Sequence, residues 1–430
     1  MSLIIITILL ALFAILSIKK TVWGVFLISA LLPTYLIRFQ LAGVSSTLLE
    51  GMIIVLLLVF LVRQIVRKKL GLASKESLRC KFAFPALLLL VAATIAVFVA
   101  PDRLAALGLW KAYFVEPILL LFVFVNVVET KKQLRQAIVA LAASATFIAL
   151  TAIVQYFTGW GIPESYDLVG ARRATSFYGY PAAVGLFIAP ILSLVLAFII
   201  SNGKKVAANY KLWLPAGLAV CAMTLALVFA KTEGAWLGVL AATFFALLFT
   251  KYRLKIIILS LVAIIILLAI PVTREYIVTL ATFQDVSGEV RLVLWQGTAR
   301  LLANNPIFGA GLAGFPALYE QYKEARHVEL SLYPHNIFLN FWVETGVLGL
   351  IALLLTVWQY FKRGIKNLGV SNLPTGRQVY ALPLLAAMIC ILVYGLVDAP
   401  YFKNDLAMLF WILMGMMIVT GNVTKNEKPA

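Results

Sequence analysis

Only two histidines occur in the 430 residues, His327 and His335, so a base that works on a hydroxyl at neutral pH has few candidates. His335 follows Pro334 at the head of an apolar run, where the positive end of a helix favours the neutral, proton-accepting ring. Asn336, Asn340 and Glu344 come next at four-residue intervals, a polar stripe on the first turns of that helix. Such a stripe must face protein or water if the helix crosses lipid, either lining a site or holding the bundle together by interhelical hydrogen bonds. His327 sits in the charged run EARHVE and reads as solvated.

Cations form a second constellation. Arg172 and Arg173 lie in GARRATSFYGYP, Lys231 in the short KTEG turn, and Arg291 in VRLVLW. Arginine binds phosphate oxygens through a planar fork, so two arginines from distant loops suit a diphosphate; the alternative is pairing with lipid headgroups or with Glu164, Asp167 and Glu233. Arg291 and Trp295 are four apart and share a face of a predicted helix that starts at an N-cap, Ser287, carries Glu289 in its first turn and stops before Asn304-Asn305-Pro306. That face is either a ligand face or an interfacial surface with a snorkelling arginine. Glu116, in YFVEPILL, is another carboxylate in an apolar run, placed to pair with one of these arginines or to bond an amide freed by Pro117.

Gly309 to Gly314 spells G-x-G-x-x-G, but a dinucleotide site needs a preceding strand and a following helix in a βαβ unit. Neither is expected here. The glycines read instead as a tight turn and a close backbone approach to the membrane core or to a ligand.

The elements that must position these groups are membrane helices. The chain is 63% hydrophobic with a mean hydropathy of +1.00, and apolar runs recur at roughly 3–18, 21–37, 47–62, 82–100, 112–128, 136–157, 178–200, 212–230, 234–250, 255–272, 335–361, 380–398 and 405–421. Backbone groups must be satisfied inside lipid and no ten-residue alternation of a barrel is present, so the fold class is all-α, polytopic, with about 12–13 transmembrane helices. The weakest of these is the opening hairpin, where two short runs are separated by Lys19 and Lys20. The first run lacks a basic leader and a small-residue cleavage site and is expected to be retained as a span. Cys80, Cys221 and Cys390 have no spacing suited to metal ligation or a disulfide framework.

The net charge of +18 does not imply nucleic acid, because the bases lie in short loops between apolar runs instead of on one soluble surface. Most of the 36 basic residues fall in alternate loops, which makes those loops cytoplasmic and turns the longer segments 158–177 and 273–334 outward. The organisation expected is N-terminal helices over 1–157, a region 158–421 that contains the long extracytoplasmic loop 273–334 before the last three spans, and a cytoplasmic tail 422–430.

With these residues in view, the chain resembles the O-antigen ligase and O-antigen polymerase family of bacterial envelope glycosyltransferases. The resemblance rests on an Arg and a Trp before N-P-x-x-G-x-G-x-x-x-F (Arg291, Trp295, Asn305-Pro306, Gly309, Gly311, Phe315) and on H-N-x-x-L followed by E-x-G-x-x-G (His335-Asn336, Leu339, Glu344, Gly346, Gly349). Arg173 to Phe177 is similar to the family's external R-x-x-x-F segment. Where relatives often carry Ser-Arg-Gly at the next turn, this chain has Thr232-Glu233-Gly234. The resemblance implies transfer of a glycan from an undecaprenyl-diphosphate carrier to a sugar hydroxyl, on lipid A-core or another glycan acceptor, at the outer face of the bacterial inner membrane. It implies neither a nucleotide sugar nor a metal or other cofactor. His335 would be the catalytic base, with Arg173, Arg291, Arg172, Asn336, Trp295 and Glu344 as substrate-binding residues. A polymerase of the same family differs only in its acceptor. A transporter or flippase for lipid-linked sugars is the rival from another class, and would place ionisable groups at mid-membrane in several spans.

Overall fold

A computed structural model describes residues 3–41, 44–69, 83–168, 170–207, 210–324, 332–368 and 378–423. His327, Cys80 and the tail from residue 424 lie outside the described residues.

The structure is 81% helical, and its helices follow the apolar runs. Among the described residues, six are long and apolar enough to cross a membrane alone: Leu48–Lys69, Arg103–Val127, Lys131–Thr158, Pro181–Asn202, Ile337–Leu368 and Asn404–Asn422. Arg253–Ala269 and Pro271–Asn304 make a seventh if a pair bent by 101° is one span. Shorter apolar helices of 10–17 residues, such as Phe84–Val99, Leu214–Ala230, Glu233–Leu247 and Val379–Tyr394, occupy further runs. Each falls below the roughly 20 residues that a perpendicular crossing requires. The expected 12–13 spans are therefore approached only when these shorter helices are counted with the long ones.

The opening differs from expectation in a way its sequence explains. The run at 21–37 is not one span: Thr21–Ala30 is ten residues, a 3₁₀ turn Leu32–Leu36 follows with Pro33 near its start, and the chain then forms a two-stranded antiparallel hairpin, Arg38–Leu41 with Val44–Thr47. Proline withholds the amide that would continue the helix, and the Arg38 and Gln40 that follow do not belong in a lipid-facing turn. Glu50 then caps the next helix, accepting hydrogen bonds from the Thr47 amide (3.1 Å) and the Ser46 hydroxyl (2.7 Å), and pairs with Lys111 at 3.0 Å.

Two spans form the centre. Pro181–Asn202 and Asn404–Asn422 are 78% and 89% buried, far more than Leu48–Lys69 at 33%. Trp411 shows why the last span is held firmly, because its fully buried indole donates to the Tyr401 hydroxyl, which in turn donates to the Tyr113 carbonyl. These bonds fix the turn 395–403 that carries part of the site. The loop expected at 273–334 is largely helical where it is described, as Pro271–Ala281, Val286–Asn304 and Phe315–Tyr319.

Candidate functional site

The Ile337–Leu368 helix does not begin at His335. Asn336 is its N-cap, accepting from the amides of Phe338 (3.0 Å) and Leu339 (3.1 Å) through Oδ1. His335 therefore lies outside the first turn, and its φ of 46° puts a non-glycine residue in the left-handed region. That conformation costs on the order of 1–3 kcal/mol and persists only where neighbours impose it. Here the neighbours are the 395–398 turn: Asn336 Nδ2 donates to the Leu396 carbonyl (2.9 Å) and the Ile337 amide to the Gly395 carbonyl (2.8 Å). The two stretches are stapled side by side.

The staple brings His335 Nδ1 to 3.5 Å from Asp398 Oδ1. Asp398 is 3% exposed, whereas the His335 side chain is 36% exposed. Burial pushes the Asp398 carboxyl up, but the hydrogen bond and charge of His335, the Ala399 amide (2.8 Å) and the nearby Tyr333 hydroxyl outweigh it, and the group is held below the usual carboxylate range. The Tyr333 ring lies 4.3 Å from the imidazole, centroid to centroid, and burial beside Asp398 keeps its phenol well above its ordinary value. The arrangement is a buried carboxylate behind a half-exposed imidazole. A carboxylate at Nδ1 fixes the proton on that nitrogen and leaves Nε2 able to accept one.

The Val286–Asn304 helix docks on the same turn. Its N-cap is Asp285, whose carboxylate accepts from the Gly288 amide at 3.1 Å, and not Ser287. Both residue types cap helices; the helix simply begins two residues earlier than expected. Arg291 Nε donates to the Val397 carbonyl (3.1 Å), next to Asp398, and Trp295 Nε1 to the Pro334 carbonyl (2.9 Å), next to His335. Of the two possibilities open for this face, the observed contacts are with protein. Among the described residues no carboxylate forms an ion pair with Arg291, and Nε is the guanidinium nitrogen that bonds Val397.

Glu344 shares a helix face with Asn336 but not a neighbourhood. It is 5% exposed, and its carboxylate accepts from the amides of Ala313 (2.7 Å) and Phe315. The helix breaks two residues later, at Gly346 (φ 69°), and the glycine loop fills the break: the Ala310 amide donates to the Val343 carbonyl (2.7 Å) and the Val347 amide to the Ile307 carbonyl (3.0 Å). Gly309 (φ 65°) and Gly346 lie where a Cβ would collide with the backbone oxygens of Val343 and Ile307. Trp342 Nε1 closes the joint on the Pro306 carbonyl at 2.7 Å. The close approach expected of the glycines is thus made to a helix backbone.

The upstream arginines are engaged elsewhere. Arg172 pairs with Asp167 at 2.5 Å and donates to the Tyr156 carbonyl (2.7 Å). Arg173 donates to the carbonyls of Ala230 (3.2 Å) and Lys231 (3.1 Å), closing the C-terminal end of the Tyr210–Ala230 helix. Neither reaches a carboxylate or backbone group of the His335–Asp398 cluster. Among the described residues Glu116 pairs with no arginine, and its two buried oxygens have no hydrogen-bond partner. Glu233 accepts from the Tyr276 hydroxyl at 2.9 Å.

Asp398 and Tyr333 were not among the candidates, nor was Lys403. A signal for Asp398 existed: the alternation of basic loops puts the turn between the last two apolar runs on the side of 273–334, and VDAPYFKND is the acidic and basic content of that turn.

Residues 218–354 match the family model described as O-Antigen ligase. Three Rickettsia proteins, each named "Putative polysaccharide ligase", are similar to the chain. The R. prowazekii protein is 30% identical over 140 residues, 31% of each chain. The R. typhi protein is 26% identical over 317 residues, 71% of this chain and 72% of that one. The R. conorii protein is 36% identical over 93 residues, 20% of this chain and 22% of that one. The matches to the first and third thus span under a third of those relatives.

Proposed function

We propose, for a chain whose residues 218–354 match the O-antigen ligase family model, that this membrane protein transfers a glycan from an undecaprenyl-diphosphate carrier to a sugar hydroxyl. The observation that carries the reading is the His335–Asp398 pair at 3.5 Å with Arg291 bonded one residue away, at Val397.

The acceptor hydroxyl is a poor nucleophile until its proton has somewhere to go. His335 Nε2 takes that proton as the oxygen bonds to the anomeric carbon, and Asp398 at Nδ1 orients the ring and stabilises the imidazolium as it forms. The bond from the anomeric carbon to the diphosphate oxygen breaks in the same displacement, and its electron pair leaves with the lipid diphosphate. The leaving group is already a stable anion, so it needs charge stabilisation more than a proton. Arg291 supplies this through the nitrogens not bonded to Val397, at a place where positive charge is fixed before the reaction. Asn336 and Trp295 hold the loop geometry, and Glu344 holds the glycine loop; on this reading they act on the substrate through His335 and Arg291.

We place the site on the outer face of the bacterial inner membrane, since the basic loops alternate with the segments that build it. In a cysteine-free background, a membrane-impermeant maleimide should label Glu320→Cys in intact cells and leave Lys251→Cys unlabelled; the reverse would overturn the orientation.

The test of the reaction is transfer by the purified chain from a synthetic undecaprenyl-diphosphate oligosaccharide, with and without EDTA, followed by released lipid diphosphate and product mass. One glycan added to a distinct acceptor means ligase, and a ladder means polymerase. Donor binding without release, whatever the acceptor, would sink the proposal in favour of transport. Activity lost in EDTA and restored by a divalent ion would overturn metal independence.

A further inference from the structure

Behind the His335–Asp398 pair, on the Nδ1 side of the imidazole, lies a buried cation that the transfer scheme does not use. Tyr180, Tyr333, Ala399 and Lys403 are among the residues around a space of about 20 Å³, room for about one water. Tyr333 and Ala399 both bond Asp398, the first through its hydroxyl and the second through its amide at 2.8 Å. A space for one water therefore lies between Lys403 and the groups bonded to the carboxylate.

The ammonium sits 4.2 Å from the Tyr178 ring, 5.2 Å from Tyr180 and 5.6 Å from Tyr35, measured to the centroids. Tyr35 belongs to the Leu32–Leu36 turn, Tyr178 and Tyr180 to the approach to the Pro181–Ala207 helix, and Lys403 to the turn before the last span. Three separate segments thus build one cage. Aromatic faces hold a cation through their ring quadrupoles and do not cancel its charge. Asp405 and Asp398 are the acids that act on Lys403, yet among the described residues no carboxylate lies within ion-pair distance of it. Burial lowers the pKa of this lysine, and the two acids oppose the effect. Where water is scarce, its charge reaches further than it would at the surface.

The other charged and titratable groups around the pair are Tyr333 beside the imidazole, Arg291 on the Val286–Asn304 helix, Tyr394 at the end of Gln378–Tyr394, Tyr180 before the Pro181–Ala207 helix, and Asp405 at the start of the last span. Burial holds the phenols of Tyr333 and Tyr180 above their ordinary value, so both are uncharged at neutral pH. Arg291 bonds the Val397 carbonyl and is assigned above to the diphosphate. Asp405 accepts from the Leu406 amide at 3.0 Å. Lys403 is the cation on the buried side of the carboxylate. A carboxylate at Nδ1 favours the imidazolium, and acting alone it would load the ring with a proton before an acceptor arrives. A cation behind that carboxylate opposes the protonation, because two positive charges would then share one anion.

We propose that Lys403 is a positioning residue for the reaction: its charge, acting on Asp398 across the one-water space, keeps the carboxylate ionised and the imidazole neutral, so that His335 meets the acceptor as a base. The use of the pair as a base rests on the transfer reaction proposed above; the electrostatic coupling does not.

The test is titration of the imidazole by nuclear magnetic resonance on the full chain in nanodiscs, with labelled histidine and no histidine tag. His327→Gln leaves His335 as the one histidine. Taking a proton makes the ring a cation, so removing a nearby cation lets the proton bind at higher pH. Lys403→Met, which fits among the tyrosines without charge, should move the titration midpoint up by about one pH unit. Lys403→Gln, neutral but polar, should move it equally and serves alone if the methionine variant does not fold. A midpoint that stays in place or falls overturns the proposal, as does a change in melting temperature with no movement of the midpoint. So does a midpoint that moves in one neutral variant and not in the other, because an effect of charge does not distinguish them. In the transfer assay, the acid limb of the pH–rate profile should move up with the midpoint. If the midpoint moves and no lipid diphosphate is ever released, the coupling stands and the transfer reaction falls; if transfer proceeds with the same acid limb in all three proteins, the reaction stands and the role of Lys403 falls.

Discussion

Two buried carboxylates, Glu344 in the Ile337–Leu368 helix and Asp398 in the turn packed against the start of that helix, have different partners. Glu344 is 5% exposed and Asp398 is 3% exposed, so burial alone does not distinguish them. Their partners do. Glu344 accepts from two backbone amides of the glycine loop and holds that loop in the break at Gly346. Asp398 accepts from one amide and faces an imidazole whose other side is open. A carboxylate satisfied by fixed amides has no proton partner to serve, whereas one behind a histidine can bias a proton's position as charge develops. The chemistry of a buried acid follows from what it faces.

The comparison can be broken most sharply at the imidazole. His335→Ala should lower transfer by about 10²- to 10⁴-fold, the usual contribution of a positioned base, while donor binding stays within a factor of two. Normal transfer would remove the base from the account. Next in size is Arg291→Lys, which keeps the charge but loses the fork that bonds Val397 and, on the proposed function, would also hold a diphosphate. A drop of about 10- to 100-fold is expected, comparable to Arg291→Ala and equal to one charge-assisted hydrogen bond. A fully active lysine variant would count against bidentate binding.

On the other side of the comparison, Glu344→Ala strands the amides of Ala313 and Phe315. Each buried unsatisfied donor costs about 1–3 kcal/mol, so thermal stability should fall while the protein that remains folded turns over within a few-fold of the parent. A rate collapse at unchanged stability would place Glu344 with the reacting groups instead. The smallest effect is in acid. Asp398 is held below its ordinary range, so its contribution to stability is complete above the unfolded carboxyl value of about 3.9 and is lost only as pH falls through the lower folded value. The loss of Asp398's own contribution, read as convergence of the melting temperatures of the parent and Asp398→Asn, should therefore be complete only in acid below about 3.9. Convergence already complete at pH 5 would contradict the depressed value.

The spans were legible because lipid leaves few alternatives: an apolar run must become a helix, and Lys131–Thr158 or Asn404–Val423 follow their runs closely. The break at Pro33 and the hairpin after it were not, since a run of sufficient hydropathy masks a proline near its end. His335 was legible because the chain has so few histidines, and the N-P-x-x-G-x-G and E-x-G motifs because their spacing is specific. What those motifs do was not legible. They interlock a loop and a broken helix, and only backbone positions such as Gly309 against Val343 reveal it. Asp398 escaped for a related reason. It belongs to no periodic stripe, and its distance of 63 residues from His335 is closed by bonds such as those from Asn336, Ile337 and Arg291 to the carbonyls of 395–397.

The most direct test of the central claim is the single-turnover release of lipid diphosphate by Asp398→Asn, with donor affinity measured on the same preparation. An asparagine keeps the shape and removes the charge behind His335. The account predicts a rate about a hundredfold or more below the parent with donor affinity unchanged. A rate equal to the parent's would show that Asp398 only supports the turn, and the pair would lose its place at the centre of the site.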